Sequence, residues 1–160
     1  MSEWLEVGDK APQFSLVSDS GKKVKLNSFQ GRPVVLYFYP RDDTPGCTKQ
    51  ACAFRDASQQ ILDLGAVVLG VSPDDEIAHA KFRDKYSLNF QLLADPDHKI
   101  ADSYGAWREK NMYGKKSMGI QRSTYLIASD GTVAKVWKKV RVEGHAAQVL
   151  EALQGLSGKG

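Results

Sequence analysis

An α/β fold built on a mixed sheet is what three features of this sequence predict. Two continuous apolar runs, Val34 to Tyr39 and Ala66 to Val71, have the length and β-branched content of buried strands. A stretch of helical apolar spacing separates them, and a second closes the chain. Near the end, Ser129-Asp130-Gly131 joins two short apolar runs as a hairpin turn would.

The elements follow in order. Phe14 to Val17 and Val24 to Leu26 flank Ser18-Asp19-Ser20-Gly21 and read as an N-terminal hairpin. The strand Val34 to Tyr39 ends at Pro40. From Cys47 to Leu64, the residues Ala51, Phe54, Ile61 and Leu62 recur at helical spacing, and Gly65 stops that helix. The second buried strand runs into Ser72-Pro73-Asp74-Asp75-Glu76, where Ser72 suits an N-cap, Pro73 the first helical position and the acids the positive end of the dipole. Ala78, Phe82 and Tyr86 continue that helix on one face. Leu92 to Ala94 reads as a short strand, and Asp95-Pro96 opens a short helix through Ile100, Ala101 and Tyr104. The stretch from Gly105 to Gln121 has weak periodicity and reads as a mobile loop. Ser123 to Ala128 and Thr132 to Trp137 form the last hairpin, and Ala146, Val149, Leu150 and Leu153 stripe the last helix. No linker or repeat divides the chain, so residues 1–160 are expected to form one domain. This order of elements is that of a thioredoxin-like fold with an N-terminal β-hairpin extension, while the periodicity alone supports an α/β fold with a mixed sheet.

Composition excludes several classes. With 42% hydrophobic and 26% charged residues over 160 positions, the chain is neither collagenous, coiled-coil nor disordered. A net charge of +3 is too small for a nucleic-acid binder. The basic clusters Lys115-Lys116 and Lys138-Lys139-Val140-Arg141 are short enough to be solvated faces. No apolar run approaches the roughly 20 residues of a membrane helix, and no signal peptide opens the chain. A cytoplasmic protein is therefore expected. There, two cysteines are more readily catalytic or metal-binding than structural. His79, His98 and His145 lie in unrelated segments and no further cysteine pair exists, so no metal site is expected.

The chemistry gathers in Pro40-Arg41-Asp42-Asp43-Thr44-Pro45-Gly46-Cys47-Thr48-Lys49-Gln50-Ala51-Cys52. A buried strand ends, a Pro/Gly turn follows, and Cys47 falls in the first turn of a helix. Unpaired backbone N–H groups and the positive dipole end converge there and favour a thiolate. Ionisation alone does not make a fast nucleophile, because thiolate reactivity falls with basicity along a Brønsted slope of about 0.45. Further groups must stabilise the transition state. Thr44, three residues earlier, can turn its hydroxyl toward the sulfur or cap the turn. A distant cation is the other requirement. Cys52 lies five residues on, a rise of about 7.5 Å and a rotation of about 140° along a helix. That exceeds the reach of a disulfide, roughly 7 Å between Cα atoms. If the two cysteines bond, the first helical turns must unwind. Cys52 taken alone reads equally well as a small buried hydrophobe.

At Pro40-x-x-x-Thr44-x-x-Cys47 the sequence resembles the peroxiredoxins, and Thr44 through Cys52 resembles the bacterioferritin-comigratory-protein, or peroxiredoxin Q, subfamily. Val7-Gly8-Asp9-Lys10-Ala11-Pro12-Gln13-Phe14, Leu92-Leu93-Ala94-Asp95-Pro96-Asp97, Tyr104-Gly105-Ala106-Trp107 and Gly119 to Ile127 are similar to other stretches of that subfamily. The resemblance implies a thiol peroxidase that reduces hydrogen peroxide and organic hydroperoxides. In it Cys47 is the peroxidatic cysteine, Pro40 shields the site, Thr44 hydrogen-bonds peroxide or thiolate, and Arg122 is the distant cation. Cys52 matches the resolving cysteine, which condenses with the Cys47 sulfenate to an intramolecular disulfide. Thioredoxin or a similar dithiol reduces it. No cofactor is implied, and a monomer is. Gln50 stands where many peroxiredoxins carry Glu, which leaves an anionic role there unfilled. Trp107, Met112, Tyr113 and Met118 either wall the peroxide site or pack on the core.

Two other readings compete. A thioredoxin-like disulfide oxidoreductase usually carries Cys-x-x-Cys, whereas four residues separate the cysteines here. A redox sensor or holdase would use the unwinding of the helix to expose a partner surface.

Overall fold

In the computed structural model, which describes residues 4–112 and 114–158, seven strands form one sheet in the order Lys23–Lys25 (β2), Ser15–Ser18 (β1), Gln91–Ala94 (β5), Val67–Ser72 (β4), Val34–Phe38 (β3), Ser123–Ile127 (β8) and Val133–Trp137 (β9). The N-terminal hairpin, β1 (Ser15–Ser18) and β2 (Lys23–Lys25), attaches through β1 to β5 (Gln91–Ala94) in antiparallel register. At the centre, β3 (Val34–Phe38) and β4 (Val67–Ser72) run parallel, with Tyr37 opposite Gly70. On the other side, β8 (Ser123–Ile127) and β9 (Val133–Trp137) are antiparallel, turning at Gly131 with φ +89°. This is the mixed sheet, extended by a hairpin, that the order of elements predicts.

Period-two alternation in β3 divides the core. Val34, Leu36 and Phe38 face one layer with Leu69, Val71, Leu93, Ala101 and Tyr104. Val35, Tyr37 and Tyr39 face the other, against Cys47, Phe54, Ile61, Phe82 and Val149. The second layer is covered by α1 (Pro45–Asp63), α2 (Glu76–Tyr86) and α4 (His145–Gly158); α3 (Lys99–Tyr104) lies over the first. All five β3 residues are buried, each large one contributing about 1.5–3 kcal/mol. The layer under α1 is aromatic: Tyr37 lies 4.9 Å from Phe54 and 5.4 Å from Tyr39, centroid to centroid. Gly70 leaves room for it, since a Cβ there would sit 2.9 Å from the Tyr37 hydroxyl.

Two expectations are corrected. Ser72 does not cap the second helix: it ends β4, paired with Ala94, and Asp75 is the N-cap, its carboxylate accepting from the Ala78 N–H at 2.8 Å. Pro73 accordingly precedes the helix, and its buried face is His79 with Phe82 rather than Ala78. The stretch 105–121 is not a loop but a two-stranded ribbon, β6 (Trp107–Met112) with β7 (Lys115–Ile120). Trp107 stacks on His98 at 3.6 Å with the rings 4° from parallel, tying the ribbon to α3. Met118 is exposed, and Tyr113 lies outside the described residues, as does the side chain of Met112.

Candidate active site

The site is built where β3 ends and α1 begins. Thr44 is the N-cap of α1 in an extended conformation, Pro45 takes the first helical position, and Cys47 the third. Cys47 is buried at 1% exposure, so its sulfur meets the open end of the helix in a space closed to water. The N-cap side chain makes no capping hydrogen bond. The Thr44 hydroxyl donates instead to the Arg41 carbonyl at 2.9 Å, closing the turn. Pro40, half-buried, sits at the bend between strand and turn.

Arg122 comes from the residue before β8, carried next to β3 by the Phe38–Ser123 pairing. Its Nη2 donates to Cys47 Sγ at 3.2 Å and its Nη1 to Gln50 Oε1 at 2.6 Å. Gln50 is 1% exposed and one helical turn beyond Cys47, so one guanidinium spans both residues. The anionic role stays unfilled, and a neutral amide oxygen accepts from Arg122 in its place. Among the described residues Arg122 has no carboxylate partner, so no acid competes with the sulfur for its charge. Gly46 makes this approach possible, because a Cβ there would lie 3.1 Å from Arg122 Nη2.

Of the expected site residues, Cys47 and Arg122 are in direct contact, and Pro40 and Thr44 shape the turn that leads to them. Cys52 stands about 1.4 turns further along an intact α1, half-buried, and both thiols are free.

The geometry agrees with what the chain is similar to. Residues 7–136 match the model of the AhpC/TSA family. A "Peroxiredoxin Bcp" of Bacillus subtilis is 47% identical over 97% of this chain and 99% of its own. A "Putative peroxiredoxin bcp" of Coxiella burnetii is 50% identical over 93% and 99%. Among solved structures, a peroxiredoxin Q of Xanthomonas campestris superposes with a TM-score of 0.89 at 38% identity, covering 96% of this chain and 97% of that one. The chain belongs to the AhpC/TSA family, as a peroxiredoxin of the peroxiredoxin Q (Bcp) kind. Its fold is thioredoxin-like and its activity that of a thiol peroxidase. A peroxide substrate and a thiol reductant follow. Among the described residues no helix is long and apolar enough to cross a membrane.

The peroxiredoxin site contains residues that the sequence did not single out. Tyr37 lies fully buried behind the cysteine; burial, then the charges of Cys47 and Asp42, push its phenol well above the usual range, so it stays neutral. Lys110 on β6 is half-buried; burial, then the Arg122 charge, draw its ammonium down while Cys47 acts in the opposite sense. The ribbon thus brings a second cation into the field of the sulfur. His79, a lone histidine in the sequence, meets Asp42 and Asp74. These are metal-donor types, but each atom facing the cluster is already hydrogen-bonded: Asp42 to Tyr39 and His79, Asp74 to Ser72 and the Asp42 N–H. Only the run of acids at 42–43 and 74–75 signalled it, with no hint of pairing.

Proposed function

We propose that Cys47 is the peroxidatic cysteine of a thioredoxin-dependent, atypical two-cysteine peroxidase acting on hydrogen peroxide and organic hydroperoxides. The observation that carries this reading is the 3.2 Å approach of Arg122 to a buried cysteine at a helix N-terminus. In the first step the Cys47 thiolate attacks the terminal oxygen of the hydroperoxide. The S–O bond forms as the O–O bond breaks, Cys47 becomes a sulfenic acid, and the leaving alkoxide or hydroxide takes a proton to give alcohol or water. The Arg122 guanidinium and the N–H groups of the first helical turn stabilise the charge that spreads over the breaking bond. Pro40 shields the site, and the Thr44 hydroxyl, which donates to the Arg41 carbonyl in the resting turn, swings to hydrogen-bond peroxide or thiolate.

Cys52 then attacks the sulfenic sulfur, releasing water and forming the Cys47–Cys52 disulfide. Their separation along α1 requires the first turns to unwind for this step. A dithiol, for which thioredoxin is the natural class, returns both thiols by exchange. An intrachain resolving cysteine suits a monomer, and two cysteines used for chemistry rather than as a structural crosslink suit the cytoplasm. The whole chain acts as one catalytic domain without a cofactor. A solved relative from Xanthomonas campestris is described by its alkyl peroxide reduction activity, which favours organic hydroperoxides as substrates here as well.

The test is the intact mass of reduced protein after one equivalent of hydrogen peroxide, followed by peptide mapping. Loss of two hydrogens with a Cys47–Cys52 crosslink is expected, and turnover with a dithiol should follow. A sensor would be oxidised once and stop; a disulfide oxidoreductase would leave peroxide unconsumed. Accumulation of Cys47 as sulfenate or higher oxides with Cys52 free would remove Cys52 from the cycle.

A further inference from the structure

The segment 41–44 that carries α1 and Cys47 is tied to α2 at two points. The inner tie is ionic and buried. His79, with no exposed surface, donates from Nδ1 to Asp42 Oδ2 at 2.6 Å and from Nε2 to the Leu93 carbonyl at 2.9 Å. A carbonyl and an ionised carboxylate only accept, so beside an ionised Asp42 both ring nitrogens carry protons and the ring is an imidazolium. The Asp42 side chain is 6% exposed and also accepts from the Tyr39 hydroxyl at 2.6 Å. Its N–H donates to Asp74 Oδ2 at 2.7 Å. The outer tie is exposed: Lys85 and Tyr86 bond the Asp43 carboxylate at 2.8 and 2.7 Å. Asp43 itself has φ +57°, a left-handed conformation that is uncommon outside glycine, though aspartate tolerates it better than most residues.

We propose that His79 is a positioning residue: through Asp42 it latches the 41–44 turn under α2 and sets how often the first turns of α1 open to carry Cys47 toward Cys52. The inference rests on the reading of Cys47 and Cys52 as a peroxidatic and resolving pair. While the latch is closed, Cys47 stays under Arg122, ready for peroxide, and a sulfenate formed there is out of reach of Cys52. A second peroxide can then oxidise it to sulfinate. Opening breaks the His79–Asp42 contact. A mobile cysteine turn is thus held by a charge pair that touches neither thiol.

The latch also titrates. Burial works against the His79 charge, but the hydrogen bond and charge of Asp42, the Leu93 carbonyl and the charge of Asp74 outweigh it and raise the pKa above the usual histidine value. The groups facing His79 are Asp42 from the turn, Asp74 from the segment between β4 and α2, and Tyr39, the residue after β3. Deprotonation at alkaline pH removes the charge from the pair and leaves one N–H to serve two acceptors, Asp42 and the Leu93 carbonyl, so the tie weakens.

The test compares reduced wild-type protein with His79→Gln and Lys85→Ala by amide hydrogen exchange, and by the split between Cys47–Cys52 disulfide and Cys47 sulfinate at excess hydrogen peroxide. H79Q should raise exchange at residues 46–52 by tenfold or more, leave β3, β4 and β8 unchanged, and reduce the sulfinate fraction. K85A, at an exposed ion pair, should raise exchange at residues 46–52 about two- to fivefold. Wild-type exchange at 46–52, corrected for the intrinsic rate, should rise with pH across the titration of His79. Exchange that rises equally throughout the sheet in H79Q would make His79 a general stabiliser and overturn the proposal. So would unchanged exchange at 46–52. If H79Q does not fold, a flat wild-type pH profile together with a silent K85A would overturn it equally. Exchange is read without peroxide, so a wild-type protein that forms no disulfide refutes the cysteine assignment separately.

Discussion

Arg122 grips the start of α1 and His79 the turn that precedes it, and they are different kinds of cation. Arg122 arrives from the sheet and is permanently charged; it touches the sulfur and Gln50. His79 arrives from α2, is charged only by virtue of its partners, and touches Asp42 five residues before the sulfur. The contrast teaches a division of labour. A guanidinium keeps its charge at any working pH and presents two parallel donors, which suits transition-state stabilisation at a fixed place. An imidazolium can lose its charge, which suits a contact that must be broken in every cycle.

The largest effect should come from the Arg122 side. Arg122→Ala removes the cation from the sulfur, and the first-turnover rate with hydrogen peroxide should fall about 10²–10³-fold, the loss typical of one oxyanion-stabilising group. Arg122→Lys should recover part of this, since the charge stays while the fork between Sγ and Gln50 is lost. Stopped-flow tryptophan fluorescence reads both. If R122A and R122K react as fast as the wild type, the charge on the sulfur is not what drives the chemistry and the division of labour collapses.

Gly46→Ala sharpens the comparison because it acts on both sides in opposite senses. The new Cβ would lie 3.1 Å from Arg122 Nη2, so the guanidinium must move by a few tenths of an ångström. First-turnover rates should fall about three- to tenfold, as small misplacements at reacting centres do. The same substitution replaces glycine by alanine in the first turn of α1, where φ is not positive, and stabilises that turn by up to about 1 kcal/mol. Opening should therefore slow as chemistry weakens. Chemistry that slows without any change in hydrogen exchange at residues 46–52 would separate the two sides more completely than proposed.

The two sides were not equally legible in the sequence. Cys47 and Arg122 could be reached because a strand–Pro–turn–helix pattern is local and the segment around Arg122 carries a recognisable string. The two buried strands were legible for the same reason: an apolar run declares itself. The His79–Asp42 pair could not be read, because its partners are 37 residues apart and a single buried histidine has no periodicity. The β6–β7 ribbon was hidden by its exposure. Four of the six β7 residues face solvent, so no alternation of apolar and polar positions marks it. The Ser72 cap failed through competition: its backbone is used by the sheet and its hydroxyl by Asp74, leaving the capping role to Asp75.

The smallest effect is one of sign, and it uses a second buried histidine as the control. His145, 2% exposed, opens α4 between Phe54 and Trp137, and its Nε2 shares a 2.8 Å hydrogen bond with the Thr124 hydroxyl. No carboxylate faces it in these contacts, so burial lowers its pKa and it stays neutral. The two histidines should therefore tilt stability in opposite directions. For His79, raised when folded, the contribution is fully present below the unfolded histidine value near 6.5 and is lost as pH rises through the folded value. For His145, lowered when folded, the contribution is full above 6.5 and is lost as pH falls toward the folded value. Denaturation midpoints measured from pH 5 to 9 should thus decline at both ends. His79→Gln should flatten the alkaline decline alone, and His145→Gln the acid decline alone. If H79Q instead flattens the acid side, the ring is neutral in the folded protein, the contact with Asp42 is an ordinary hydrogen bond, and the distinction between a permanent and a titratable cation at this turn disappears.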